Sequence, residues 1–444
     1  VPLNPRVPRP ASRRPRPRAV DSDAGREIEL TVGPVAHGGH AVARLDGRVV
    51  FVRHALPGER VRAVVTEGGD RFWRADAVEV LADASPDRVP SAWPQAGPGG
   101  VGGGELAHVS LDGQRRWKAA VVAEQLRRLA DLERDVVVEA APGDDALGGL
   151  HYRTRIELVA DAEGRAGMRR FRSHDVVALD DMPLGTPAVA ELAAAEGVFA
   201  RRWTSGARLE VVAPADGADG VLLVDGEVWR GGRADRRPNA RRAVAETVTP
   251  LRPDANAAAR FHYRVAADGF WQVHREAPAV LSGAVLDAVG DIAGARVLDL
   301  YSGAGLFTMP LAAATGEDGR VVAVEGDTRA VKDARRNAHD VPQVELHLGA
   351  VDRVLAEGGD AGGAGVGAAD VVVLDPPRAG AGRTVVEAIA QRGPRRVVYV
   401  ACDPAALARD IAYFAGHGYA LEGLRAFDLF PMTHHVEAVA VLAR

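Results

Sequence analysis

From about Arg26 to Leu81, apolar and polar residues alternate in short runs: "REIELTVGPV", "HAVARLDGRVVFVRH", "ERVRAVVTEGG" and "RFWRADAVEVL". A period of two, punctuated by Gly, Pro and Asp-Gly, predicts the hairpins of a small all-β unit. The period is lost over 91–110, "SAWPQAGPGGVGGGELAHVS", which reads as a glycine-rich loop. Helical spacing follows in "GQRRWKAAVVAEQLRRLADLE", where Trp117, Val121, Val122, Leu126 and Leu129 share one face. Short strands ("RTRIELVAD", "RLEVVAP", "GVLLVDGEVWR") and a helix near 187–201 then make a second, α+β unit. From Phe261 onward strands and helices alternate to the C terminus, as in a doubly wound sheet. The fold class expected is α/β: residues 1–22 a tail, 23–84 a β-barrel, 85–260 a central α+β domain, and 261–444 a Rossmann-like domain.

Composition narrows the chemistry. A length of 444 residues suggests about three domains. The single cysteine, Cys402, excludes an internal disulfide and any multi-cysteine metal site. No apolar run reaches the roughly 18 residues that span a bilayer, and no leader is recognised, so a cytoplasmic protein with no membrane association is expected, monomeric by default. A net charge of −5 argues against a chain coated by nucleic acid, although local patches can differ. One such patch is residues 1–20, with six Arg, several Pro and no acid. It cannot fold alone, and it reads either as an arm that finds phosphate backbones or as a solubilising leader or tail.

The chemistry begins at "ARVLDLYSGAGLFTMPLA", a buried strand, a glycine turn and a helix. Gly303 and Gly305 let backbone approach a ligand, and the helix N-terminus offers free N–H groups. Phe307 and Thr308 stand where a dinucleotide fingerprint wants small residues. The next strand, "RVVAVEGD", ends in Glu325, twenty residues after Gly305, where an acid can accept from both ribose hydroxyls. A third, "DVVVLDPPR", puts Asp375 at its carboxyl end. With Asp299 before the turn, the series resembles a class I S-adenosylmethionine-dependent methyltransferase, with NAD binding as the competing reading and helix capping as the bland one.

In "RRVVYVACDPAALARD" a further strand ends at Cys402, and Asp403-Pro404 is a helix start. A thiol beside a helix N-terminus is expected to favour thiolate, although most lone cysteines are simple core residues. A thiolate and a methyl donor suit one reaction well. Addition at carbon 6 of a pyrimidine makes carbon 5 nucleophilic, and a base must later remove the carbon 5 proton. Glu437, between Val436 and Ala438, is a carboxylate expensive to bury without a partner or a task. His434 and His435 are alternative bases, read more readily as positioning residues.

"FWQVH", "VLDLYSGAGLFT", "AVEGD", "LDPPRAG", "VACDPAALARD" and "FPMTHHVEAVAVL" occur in the order of the RNA uracil-5-methyltransferases, which the chain resembles after residue 20. "GPVAHGGHAVARLDGRVVFVRHALPGERV" is similar to a TRAM domain, an OB-like RNA-binding barrel, with His37, His40, Arg44, Arg53 and His54 expected on its polar face. The resemblance implies transfer of a methyl group from S-adenosylmethionine to carbon 5 of a uridine in structured rRNA or tRNA. It implies Cys402 as nucleophile, Glu437 as base, and Asp375 as the residue holding the uracil. Gln272, Tyr301, Gly303, Gly305, Glu325 and Asp375 would surround the cofactor, and Arg153 and Arg155 would contact RNA phosphates or form a solvated strand face.

Many relatives hold a four-iron cluster on four cysteines. Here Trp93, Val101, Gly104 and Met182 stand at those positions, so no iron–sulfur cluster is expected and apolar packing is expected instead. Asp403 stands where Asn is usual. Other readings stay open: a methyltransferase with a different substrate, or a non-catalytic RNA-binding descendant. "DPPR" instead of "NPPY" speaks against adenine N-methylation, and Ala401 instead of Pro against a DNA cytosine-5 enzyme.

Overall fold

The computed structural model of the chain describes residues 23–252, 259–357 and 366–444; the basic segment 1–22 expected as a tail lies outside the described residues. Strands Glu27–Ala36, His40–Leu45, Arg48–Arg53, Phe72–Ala82 and Arg60–Glu67, in that spatial order, close into a barrel. Alternation sets the facing: Ile28, Leu30 and Val32 point inward while Glu27, Glu29 and Thr31 face out. The expected polar face needs correction. His40, Arg53 and His54 are all buried, because Arg53 makes a two-pronged ion pair with Asp76 (2.9 and 3.0 Å) and the two imidazoles pack beneath neighbouring loops. His37 and Arg44 keep exposure.

Helix Leu111–Ala130 begins at Ser110, whose hydroxyl accepts from Gly113 N. Trp117 and Val121 enter the barrel core, while Val122 and Leu126 enter the core of the C-terminal sheet. One helix therefore fastens two cores together. Leu129, expected on its apolar face, is 40% exposed, while Leu126 and Ala130 take the positions that pack on the sheet core.

The central seven-stranded sheet runs Arg233–Ala234, Glu227–Arg230, Val221–Val224, Arg208–Val212, Arg155–Ala160, Ala166–Arg169, Val176–Ala178, antiparallel throughout. Its helix is Pro187–Ala195, shorter than the expected 187–201, because Gly197 at φ +66° turns the chain away. Trp93, Val101 and, partly buried, Met182 join one hydrophobic cluster beneath this sheet. A Cβ on Gly104 would meet Ala96 Cβ at 2.6 Å and Trp93 Cε3 at 2.8 Å. The indole thus fills the space that a side chain at 104 would need.

The C-terminal sheet has eight strands, ordered Val344–Leu348, Arg320–Glu325, Arg296–Leu300, Val371–Leu374, Arg396–Ala401, Glu437–Ala443, Ala420–Asp428, Val138–Ala140. The first five are parallel, and Glu437–Ala443 runs antiparallel to both neighbours. Two features cross the expected boundaries. Val138–Ala140 pairs with Ala420–Asp428 and so joins this sheet from the central region. Residue 260 falls between Ala243–Val248 and Phe261–Ala266, which pair with each other.

Candidate active site

Register places the site. Leu300 is level with Val324 and with Leu374, so the next residues, Tyr301, Glu325 and Asp375, emerge together at the carboxyl ends of three adjacent strands. Ala401 pairs with Ala438 on the antiparallel neighbour. One step outward, Cys402 and Glu437 therefore oppose each other. The strands below are buried and, but for the Tyr399 hydroxyl, apolar (Val371–Leu374, Val397–Val400), which fixes the register and leaves the strand ends to carry polar groups into the site.

They open on a cavity of about 1290 Å³. Its wall includes Cys402, Glu437, Asp375, Glu325, Tyr301, Gly303, Gln272 and Arg153. That exceeds the roughly 300–1,000 Å³ of a pocket for one small molecule, so a nucleotide-sized ligand and a base fit together. Gly303 (φ +57°) faces open space, and its N–H donates to Glu325 Oε2 at 2.9 Å. Tyr301 takes φ +62°, a left-handed conformation costly for a bulky residue and found where a site over-determines the backbone.

Two expected residues lie elsewhere. Gly305 is not on the cavity wall; at φ +95° it forms the turn behind Gly303 and packs near Thr308. Arg155 is 9% exposed and donates to the carbonyls of Ala267 and Gly269 (3.4 and 2.8 Å). It braces the segment leading to Gln272 and presents nothing to a phosphate, because its strand position faces the interior.

Acid gathers at the cavity floor, with Asp375 and Glu437 on its wall and Asp299 behind, in the strand paired with that of Asp375. Burial pushes Asp299 up to about 7 against a hydrogen bond from Thr308 (2.5 Å), with Glu325's charge adding to the rise. Burial, then Asp299, pushes Asp375 to about 7. Glu437, 5% exposed, is raised well above the carboxylate range by burial and by Asp375, with Arg378 opposing. Asp299 Oδ1 and Ser302 Oγ have no hydrogen-bond partner among the described residues. Such a floor suits a ligand that brings positive charge and hydrogen-bond donors.

Cys402 corrects an expectation. Asp403 does cap helix Pro404–Ala415, accepting from Ala406 N at 2.8 Å. Yet the thiol is pushed up to about 12, by burial first and then by Glu437 and Asp375. Desolvation and three carboxyls, Asp403 among them, oppose the helix end and push the group toward the thiol form.

Sequence reading gave Arg378 no role, although "LDPPRAG" was singled out. It lines the cavity, donates to His435 Nε2 at 3.2 Å, and is the cation that favours the anion at both Cys402 and Glu437. Burial, His434 and Arg378 hold His435 down to about 3, so it stays neutral and accepts that bond. The segment before Glu437 is pinned from distant regions. Lys118 donates to Phe430 O (3.0 Å) and Tyr152 to Pro431 O (3.1 Å), while Gln114 accepts from Met432 N (2.7 Å) and Glu105 bonds His434.

Comparison with known proteins agrees with this architecture. Residues 21–78 match the TRAM domain family model, and 367–444 match the tRNA (uracil-5-)-methyltransferase model. An uncharacterized RNA methyltransferase of Bifidobacterium longum is 45% identical over 94% of this chain and 97% of its own. A 23S rRNA (uracil(1939)-C(5))-methyltransferase of Alkalilimnicola ehrlichii is 32% identical over 94% of this chain and 96% of its own. The fold is shared with a Pyrococcus abyssi tRNA (uracil-54, C5)-methyltransferase solved with S-adenosyl-L-homocysteine, at a TM-score of 0.66 and 22% identity, covering 94% of this chain and 100% of that one. Among the described residues, no helix is long and apolar enough to cross a membrane. The chain belongs to the RNA uracil-5-methyltransferase family, S-adenosylmethionine-dependent enzymes that here carry a TRAM barrel at the N-terminal side.

Proposed function

We propose that this protein methylates carbon 5 of a uridine in structured RNA through a covalent Cys402 adduct, with Glu437 as the base. The observation that carries the reading is the opposition of Cys402 and Glu437 across neighbouring antiparallel strands, at the wall of one cavity with Asp375. The 32% identical relative makes 23S rRNA the first RNA to test, with tRNA second.

The residues present fit S-adenosylmethionine. Glu325 can take its ribose hydroxyls, Gly303 leaves room for close approach, and Gln272, Tyr301 and Ser302 complete the wall. Glu325, on the same wall, suits its positive charge. Bound there, it supplies an electrophilic methyl group.

Cys402 sulfur bonds carbon 6 of the uracil as its proton leaves to water at the cavity mouth, the thiolate being favoured by Arg378. The carbon 5–carbon 6 π pair moves toward oxygen 4, and carbon 5 becomes nucleophilic. Asp375 faces this space and, while neutral, can donate to the oxygen where charge gathers. Once carbon 5 bears the methyl group, ionised Glu437 takes its proton. The freed electron pair restores the double bond and expels the thiolate. Burial raises Glu437's hold on a proton, which suits that final step. Arg153 is proposed as an RNA contact at the cavity rim.

RNA containing 5-fluorouridine tests the reading, because fluorine cannot leave as a proton. A protein–RNA adduct that survives denaturing electrophoresis is expected, and Cys402→Ala should abolish both it and methylation. Absence of any adduct from a chain that binds cofactor and RNA would sink the proposal.

A further inference from the structure

The barrel does more than sit beside the catalytic region; one of its turns rests on both segments that bear the proposed catalytic pair. His37 Nε2 lies 3.1 Å from Asp403 Oδ2, and Asp403 follows Cys402 directly. The other oxygen of Asp403 caps the helix through Ala406 N. Two residues past His37, a Cβ on Gly39 would stand 3.1 Å from both His434 Nδ1 and Glu105 Cγ. Gly39 is at φ +77°, so the turn's backbone packs closely on the Glu105–His434 pair, three residues before Glu437. A barrel serving only to hold RNA needs neither contact.

We propose that His37 is a positioning residue for the reaction: from the barrel it locks the turn that carries Cys402 and neutralises the Asp403 carboxylate beside the thiol. This rests on the role proposed for Cys402. An acid at 403, where the resemblance leads one to expect Asn, adds a negative charge next to a sulfur that must become an anion. Asp403 is one of the groups that raise the thiol, after burial, Glu437 and Asp375. His37 meets that charge. Its own proton affinity is raised by the bond it donates to Asp403 and by the charges of Asp403 and Glu124, the groups facing it from the two helices packed nearby, while burial opposes. The coupling also ties RNA held by the barrel to the geometry of the nucleophile.

Because Cys402 is the sole cysteine, alkylation of the full chain by iodoacetamide reports on this thiol alone, without RNA or cofactor. His37→Ala should be alkylated about fivefold more slowly near neutral pH, the size of effect expected from one unscreened charge at a half-exposed site. Adding Asp403→Asn should restore the rate, since an amide caps the helix without charge. Methylation by His37→Ala should lose kcat by the same order, with KM for RNA unchanged. The His37 side chain is 38% exposed, so the melting temperature should hardly move. Alkylation of His37→Ala at or above the wild-type rate, or no recovery in the double variant, overturns the proposal. So does a change confined to KM, which would make His37 an RNA contact. Failure of the wild-type chain to form a 5-fluorouridine adduct would overturn the role of Cys402 instead, and the alkylation rates would still read the His37–Asp403 link.

Discussion

Around Trp93 the chain fills its interior with apolar side chains, whereas around Cys402 it keeps buried carboxyls facing a cavity. Both places are ones where the family resemblance leads one to expect cysteine. In the first, a tryptophan that is 1% exposed, Val101 and Met182 pack together, and Gly104 leaves the indole its room. In the second, Asp375 and Glu437 on the wall and Asp299 behind them are present although burial makes each hard to ionise. A fold under no other demand replaces buried charge with apolar volume. The contrast fits the role proposed for the second region, where chemistry would oppose stability.

Three substitutions test that contrast, the first having the largest effect. Glu437→Gln should cut methylation by about 10²–10⁴-fold, the usual size of a general-base contribution. Ordinary RNA should then accumulate as a denaturation-resistant adduct, because the carbon 5 proton stays in place. The same variant should melt higher near neutral pH, since an amide carries no charge to bury; a lower melting temperature with activity intact would make Glu437 a structural partner.

Trp93→Ala should do the reverse, costing about 3–5 kcal/mol of stability through the cavity it leaves, with kcat little changed at temperatures where the variant is folded. Denaturant titration and RNA methylation at low temperature would check the pair of outcomes. Gly104→Ala should cost about 1–3 kcal/mol by driving a methyl into Trp93 and Ala96.

The smallest effect is one of pH. Asp299 and Asp375 hold their protons to about 7 when folded and to about 4 when unfolded. Their contribution to stability is therefore full below about 4 and lost as pH rises toward 7. His54, held to about 4, and His108, held to about 3, both chiefly by burial, act with the opposite sign. The unfolded chain protonates them below about 6.5, so their contribution is full above that value and lost as pH falls toward 4. His108→Gln should gain about 1–2 kcal/mol relative to wild type at pH 5 and almost nothing at pH 7.5, read from melting temperatures across pH. An equal effect at both values would remove the electrostatic explanation.

Much of this was legible along the chain. Alternation in "REIELTV" and in "RVVFVR" predicted barrel strands, and the apolar runs ending at Glu325, Asp375 and Cys402 predicted parallel strands with polar ends. Failures came where a local signal met a distant partner. Arg53 and His54 look like an exposed polar face until Asp76 and His108 come against them from elsewhere in the chain. Arg155 looks solvated until the 267–269 carbonyls claim it. The thiol looks activated by its helix until burial and three carboxyls are counted.

The sequence by itself determined the order of elements, the residue types at each strand end and the family. Periodicity and turn residues act over a few positions, and they need no knowledge of what packs on what. Only the tertiary structure decided which of those ends share a cavity, that Cys402 opposes Glu437 in register, and that His37 and Glu105 reach the segments bearing Cys402 and Glu437 from the N-terminal side. Proton affinity was decided there as well, because burial and the charges that set it come from residues on separate strands and loops brought together by the fold.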